Sequence, residues 1–423
     1  METIVTTVLT TLLVTAIALL VAVNVATAEK RLARKPPHLY GSRDPDFRRA
    51  LGLLLGPPIL SGNRVETLIN GDRIFPAMLE AIDSARVSVC FETFIFRDAI
   101  GAKFCRSLVK AARRGVQVHV LLDWVGSRRM DQRIIQNMAR AGAHVQFYHE
   151  LTWYHLGRMN NRTHRKLLVA DGRVGFTGGV GIGQEWTGDA QDPKHWRENH
   201  YRVEGPVVAQ MQAVFVDNWI KATGAVLHGD TYFPELAPAG EMDAQMFGSS
   251  PTGGSTSMHL MVLLAITAAR RSIDIQNSYF VPDNLAVSAL LDARKRGVRI
   301  RIVAPGRHTD APLGRYAAHK LCGVLLEAGV EFYEYEPTMI HTKVMVVDEL
   351  WVSVGSSNFD DRSFRLNDEA NLNVFSAELA REQIQQIQAD IAKSHRLTLR
   401  RWVKRPTTRR LYENVAMLLR SQL

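Results

Sequence analysis

His164 and Lys166, and far along the chain His341 and Lys343, stand two residues apart, and an aspartate follows each pair at the same distance. The two stretches read HRKLLVAD, ending at Asp171, and HTKVMVVD, ending at Asp348. In an extended strand alternate side chains face the same side, so each His–Lys pair projects together. An imidazole beside an ammonium suits a phosphate ester. The lysine is a point charge for anionic oxygens, and the histidine can attack phosphorus or move a proton. Apolar runs follow both pairs (Leu167 to Val169 and Val344 to Val347) and read as buried strands that hold them rigidly. Glycine-containing turns come next, Thr177-Gly178-Gly179 and Val354-Gly355-Ser356-Ser357-Asn358. Such turns let backbone approach a bulky anion closely. Gly179, Ser356 and Asn358 are therefore candidate substrate-binding positions, the last two as hydrogen-bond donors to phosphate oxygens.

A single histidine on a strand is usually a satisfied core residue, and a single lysine a solvated charge. Two copies with the same flanking pattern point instead to a duplicated chain that builds one active site from two halves. The aspartates read differently. Asp171-Gly172 is a turn signal and Asp348 begins a similar turn, so both are expected to be scaffold of the motif rather than proton carriers.

Both motifs resemble the HKD signature of the phospholipase D superfamily, and the surrounding sequence is most similar to bacterial cardiolipin synthases. The resemblance runs from about residue 60 to 400. It includes Asn160-Asn161-Arg162, Trp196-Arg197-Glu198 with Gly205-Pro206, Tyr279-Phe280-Val281-Pro282, and the run from Gly355 to Phe364 with Asn367 and Glu369. It implies a phospholipase D fold: two duplicated α-β-α sandwich domains related by a pseudo-two-fold axis. It also implies phosphatidyl transfer in two displacements through a covalent phosphohistidine, with His164 as nucleophile, His341 as acid and base, and Lys166 and Lys343 neutralising the oxyanions. Carboxylates downstream of each motif would orient the imidazoles across the halves, Glu198 on His341 and Glu369 on His164. No metal or other cofactor is called for, because ammonium groups and backbone donors take the place of a cation. Two departures stand out. Glu198 occupies a position where the family more often has Asp, and Gly178-Gly179-Val180-Gly181 lacks the asparagine that Asn358 supplies in the second half.

The elements that must position these residues also come in two series. Ala81-Ile82 and Ala85-Arg86 match Ala265-Ile266 and Ala269-Arg270; Arg114-Gly115-Val116 matches Arg296-Gly297-Val298; Ala141-Gly142 matches Ala328-Gly329. Each half reads helix, strand (87–96; 273–280), helix, strand (116–122; 298–303), helix, strand and motif strand. Alternating strands and helices with glycine at helix ends is an α/β pattern. The helix around 104–114 reads as an ordinary amphipathic helix packed on a sheet.

The expected organisation is a transmembrane anchor (1–28), a basic juxtamembrane linker (29–60), a first domain (61–233), a Pro-, Gly- and Ser-rich linker (234–254), a second domain (255–392) and a basic amphipathic tail (393–423). Thr3 to Ala28 carry no charge, a run longer than the roughly 20 residues that cross a bilayer core. Ala26-Thr27-Ala28 resembles a signal-peptide cleavage site, but no basic residue precedes the run. A retained single-pass anchor in the inner membrane is the favoured reading. Lys30, Arg31, Arg34 and Lys35 then place the domains on the cytoplasmic side. The net charge of +10 is concentrated at the other end, where nine basic residues from Lys393 to Arg420 face one acid, Glu413. With interleaved apolar residues, this tail reads as an interfacial segment on anionic lipid.

Cys90, Cys105 and Cys322 lack metal-site spacing and read as buried free thiols. Expected partners are phospholipid substrates, phosphatidylglycerol foremost, and the membrane, with no nucleic acid. A fused pair of halves needs no dimer, and the oligomeric state is open. Trp153, Tyr154 and His155 are candidates for an acceptor site. The alternatives are a hydrolase passing the phosphatidyl group to water, a nuclease of the same superfamily, and a silent lipid-binding protein. Two intact His–Lys pairs disfavour the last.

Overall fold

Alternating apolar runs and glycine-ended helices give a mixed α/β fold. The computed structural model describes residues 2–25, 32–150, 161–250 and 256–420. The helices are α1 (Glu2–Val25), α2 (Pro45–Leu55), α3 (Asn70–Ser84), α4 (Asp98–Arg113), α5 (Trp124–Ser127), α6 (Gln132–Arg140) and α7 (Val208–Thr223). After them come α8 (Ser257–Ala268), α9 (Asn284–Lys295), α10 (Pro312–Glu327), α11 (Asp361–Arg365), α12 (Ala377–Ala392), α13 (Leu399–Val403) and α14 (Thr407–Leu418). The first strands are β1 (Leu60–Ile69), β2 (Ser88–Thr93), β3 (Gln117–Asp123), β4 (His144–Tyr148), β5 (Leu167–Ala170), β6 (Val174–Gly178) and β7 (Asn199–Glu204). The second series is β8 (Met242–Ser249), β9 (Ser272–Asn277), β10 (Phe280–Val281), β11 (Arg299–Pro305), β12 (Glu331–Tyr335) and β13 (Lys343–Val347). It ends with β14 (Trp351–Gly355), β15 (Phe359–Asp360), β16 (Glu369–Phe375) and β17 (Ser394–Leu397).

Fifteen of these strands form one sheet, with β1 and β8 paired antiparallel near its middle. From β1 outward the order is β7, β6, β5, β2, β3, β4; from β8 outward it is β16, β14, β13, β9, β11, β12. The two flanks therefore repeat one connectivity. In both, the outer strands run parallel (β2, β3, β4 and β9, β11, β12), and the motif strands β5 and β13 pair antiparallel to β2 and β9. The helix-end glycines legible in the sequence are left-handed, with φ +89° at both Gly115 and Gly297, +97° at Gly142 and +81° at Gly329.

Three large apolar clusters and one small one, at α10 and α14, are formed among the described residues. One lies under α3, α4 and α6, where Leu108 and Ala111 are buried as the amphipathic pattern of α4 requires. Another lies under α8 and α9. The third spans both flanks, joining Tyr201 and Phe215 of the first to Ile340, Val352 and Leu379 of the second. The three cysteines are free and buried.

Several expected boundaries change. The segment read as a juxtamembrane linker packs onto the second flank instead: Phe47, Leu51 and Leu55 of α2 are buried, and Phe47 meets Trp351 and Phe375 edge-on. The interdomain linker contains β8, whose partners β1 and β16 make it central to the sheet. The carboxy-terminal tail is not detached, because β17 pairs with β12 and α14 packs against α10. As for the anchor, among the described residues no helix is long and apolar enough to cross a membrane. In α1, the hydroxyls of Thr7, Thr10 and Thr11 each donate to the carbonyl four residues earlier. Ala26 to Arg31, including the cleavage-site look-alike, lie outside the described residues, as do Trp153, Tyr154 and His155.

Candidate active site

Neither motif histidine sits inside a regular strand: β5 begins at Leu167 and β13 at Lys343. Each lies in an extended lead-in that hydrogen-bonds to the opposite flank. The His164 amide donates to the Asp368 carbonyl (2.8 Å), and the Asp368 amide donates to the Arg162 carbonyl (2.9 Å). On the other side the His341 amide donates to the Arg197 carbonyl (2.8 Å), and the Arg197 amide to the Met339 carbonyl (2.9 Å). The residue after each bridging partner is a glutamate, Glu369 in one case and Glu198 in the other. Backbone register thus brings a carboxylate of one flank to the imidazole of the other.

The contacts are close. His164 Nδ1 lies 3.0 and 3.1 Å from the two oxygens of Glu369, and His341 Nδ1 lies 2.6 Å from Glu198 Oε2. An ionised Glu369 only accepts, so His164 carries its proton on Nδ1 and its Nε2 holds the lone pair. The ammoniums fold back beneath the rings. Lys166 Nζ donates to the His164 carbonyl (2.7 Å), and Lys343 Nζ donates to the His341 carbonyl and to Ser278 Oγ, both at 2.6 Å. Both imidazoles line one cavity of about 420 Å³, together with Lys166, Asn358, Arg162 and Arg362.

The two carboxylates are unlike. Glu369 accepts from the hydroxyls of Ser356 (2.5 Å) and Ser363 (2.7 Å). Burial pushes its carboxyl up, but His164, Lys166 and the Ser356 hydroxyl outweigh burial and leave it below its ordinary value. Among the described residues Glu198 has no hydroxyl partner of this kind, and it accepts from the Asn199 amide (2.9 Å). Its burial prevails over Lys343 and that amide, raising the carboxyl to about 7. Burial also lowers the imidazoles: His164 falls to about 4, against the pull of Glu369, and His341 falls well below its usual value, helped by Lys343 and Lys166. Burial likewise brings Lys166 down to about 7 and Lys343 to about 8.

The same asymmetry places the turn residues. A Cβ at Gly179 would lie 2.4 Å from Glu198 Oε2, so the glycine makes room for a carboxylate rather than for an incoming anion. Ser356, fully buried, braces Glu369. Of the three turn residues expected to meet substrate, Asn358 lines the cavity, and its Oδ1 accepts from Ser278 (3.1 Å).

Asp171 and Asp348 are remote, about 20 Å along an extended chain from their histidines. Both adopt left-handed backbone, φ +54° and +53°. The Asp171 carboxylate accepts from the amides of Arg86, Val87 and Ser88, and that of Asp348 from the amides of Arg270, Arg271 and Ser272 and from Ser42 Oγ. Each pins the start of the strand beside its motif strand. Replacing Asp348 by Ala leaves three amides unmatched, an expected loss of about 3 kcal/mol at ~1 kcal/mol per bond. Urea unfolding should show that loss, with turnover per folded molecule nearly unchanged.

The cavity also holds residues that the sequence did not single out as a site. Trp186 and Trp196 flank His341 with ring centroids 5.3 and 5.2 Å away, and Tyr279 donates to Asp310 (2.6 Å) at the cavity wall. The contiguity of Trp196 with Arg197-Glu198 was the available signal; Trp186 and Asp310 had none.

Comparison with known proteins identifies the family. The family model "Cardiolipin synthase, PLD-like domain" matches residues 78–219 and 262–391. Cardiolipin synthase A of Pseudomonas fluorescens (strain SBW25) is 34% identical over 373 residues, covering 88% of this chain and 76% of that protein. The major cardiolipin synthase of Bacillus subtilis (strain 168) is 33% identical over 362 residues, covering 84% and 75%. Among solved structures, the phosphatidylserine synthase of Haemophilus influenzae Rd KW20 superposes with a TM-score of 0.69. It covers 89% of this chain and 100% of its own at 14% identity, a likeness of fold.

Proposed function

The chain belongs to the cardiolipin synthase family of phospholipase D-like proteins, and on that premise we propose that it passes a phosphatidyl group from one phosphatidylglycerol to a hydroxyl of a second. It is a phospholipid phosphatidyltransferase. The observation that carries the detailed reading is the pair of imidazoles on one cavity, each held by a glutamate of the opposite flank. We read the repeated strand order as a duplication with pseudo-two-fold symmetry, which supplies those two equivalent halves.

In the first displacement Nε2 of His164 attacks phosphorus, and the bond to the donor's glycerol oxygen breaks. The leaving oxygen takes a proton from His341, which Glu198 supports. In the second, His341 removes a proton from the acceptor hydroxyl; that oxygen attacks phosphorus, and the P–N bond breaks. Lys166 and Lys343 meet the charge on the phosphoryl oxygens. The contrast between the carboxylates supports the polarity. An ionised Glu369 fixes His164 as a neutral nucleophile, whereas Glu198, raised to about 7, can share a proton with His341.

The charge-free run from Thr3 to Ala28 and the basic cluster after it fit attachment to a membrane with the domains on the cytoplasmic side. Incubation of the reconstituted enzyme with labelled phosphatidylglycerol tests the reaction. Cardiolipin and glycerol in equal amounts are expected. Phosphatidic acid as the main product would make water the acceptor and refute the transfer step.

A further inference from the structure

Helix α14 turns its one acidic residue inward. Glu413 is fully buried, paired with Arg405 (2.8 Å), and on the same side Ala416 is buried against Val281 and Ala317. Arg420, just past the helix, donates to the Pro282 carbonyl. On the opposite side Leu411, Val415 and Leu418, spaced by four and three residues, form one stripe. They are exposed by 64%, 48% and 82%. A helix that buries an ion-paired glutamate and presents an apolar stripe has the reverse of the arrangement expected of a solvent-facing helix.

We propose that this stripe is a docking surface for the headgroup–acyl boundary of an anionic bilayer, and that it seats the cavity beside the lipid it draws from. Two observations select that occupant. Exposed cations accompany the stripe, Arg410 on α14 itself and Arg400, Arg401 and Lys404 in the segment just before it; anionic headgroups would neutralise them and a second copy of the same surface would oppose them. The buried side of α14 also packs against a residue of the cavity wall: Val281, clustered with Ala416, lines the cavity. An amphipathic helix of this kind lies in the plane of the interface with its apolar side immersed. The proposal deepens the phosphatidyl-transfer reading by naming how the substrate-bearing surface is met, but its main readout does not depend on that reading.

The test uses the full chain carrying Leu418→Cys, labelled with an environment-sensitive fluorophore; the native cysteines are buried. With phosphatidylglycerol vesicles containing a spin-labelled acyl chain, emission should fall at least about twofold, and much less with phosphatidylcholine vesicles. Separately, Leu411→Ser with Leu418→Ser should lower turnover of bilayer phosphatidylglycerol by about tenfold while leaving turnover of a soluble short-chain phosphodiester unchanged. Unquenched emission with anionic vesicles would overturn the proposal, as would a spectral change that grows with protein concentration in the absence of lipid, which would make the occupant a second copy. Failure of the unsubstituted chain to turn over the soluble diester would count against the transfer chemistry, leaving the fluorescence result to judge docking.

Discussion

His164→Ala lowers turnover of labelled phosphatidylglycerol by at least about 10⁴-fold, the scale on which a covalent nucleophile is lost, and leaves the fold intact. The fold survives because the bridge that places residue 164 is made by its backbone amide, and Glu369 keeps the Ser356 and Ser363 hydroxyls. His341→Ala should cost about 10²–10⁴-fold, the range of a lost general acid and base, because attack at phosphorus remains possible. Circular dichroism and thermal unfolding separate a chemical defect from a folding defect. Substantial turnover in His164→Ala would exclude that residue as nucleophile.

The second large effect distinguishes the two glutamates. Glu369 is held ionised and fixes the tautomer of His164, so Glu369→Gln should lower the rate by about 10²–10⁴-fold at every pH, as loss of an orienting carboxylate does. Glu198 acts through pH. His164 must be neutral to attack, a condition met above about 4, and the proton shared by Glu198 and His341 is present below about 7 and lost above it. Loss of charge from Lys166, also near 7, adds to the same alkaline limb. Wild-type kcat/KM should therefore be bell-shaped between those limbs. In Glu198→Gln the donor is His341 alone, held well below its ordinary value, so the alkaline limb and the optimum move to lower pH. Identical pH profiles for Glu198→Gln and Glu369→Gln would remove the asymmetry on which the division of roles rests.

Much of this was legible in the chain because it is local. The HxK spacing, the apolar motif strands and the glycines ending α4, α6, α9 and α10 all act within a few residues, and the structure keeps them. The glutamate partners were reachable only through family resemblance, since nothing local ties Glu198 to His341 across 143 positions. Where long-range pairing decides, composition misled. The sequence around Met242–Ser249 looks like linker because its Pro, Gly and Ser neighbours dominate, yet β8 is made a strand by two partners far away. Likewise Arg405 and Arg409 read as part of a basic interfacial tail, whereas Glu413, eight and four residues on, pairs with both. The turn residues were misjudged for a related reason. Gly179 and Ser356 face glutamates rather than open space, and only the folded register reveals which groups fill it.

The most direct test of the account is to quench His341→Ala enzyme after mixing with phosphatidylglycerol labelled at phosphorus, then locate the label by peptide mass spectrometry. An acid-labile phosphatidyl adduct on the peptide containing residue 164, absent from His164→Ala enzyme, is the expected result. Label on residue 341 in the wild-type enzyme would reverse the roles. Turnover with no protein-bound phosphorus at any time would contradict the double displacement itself.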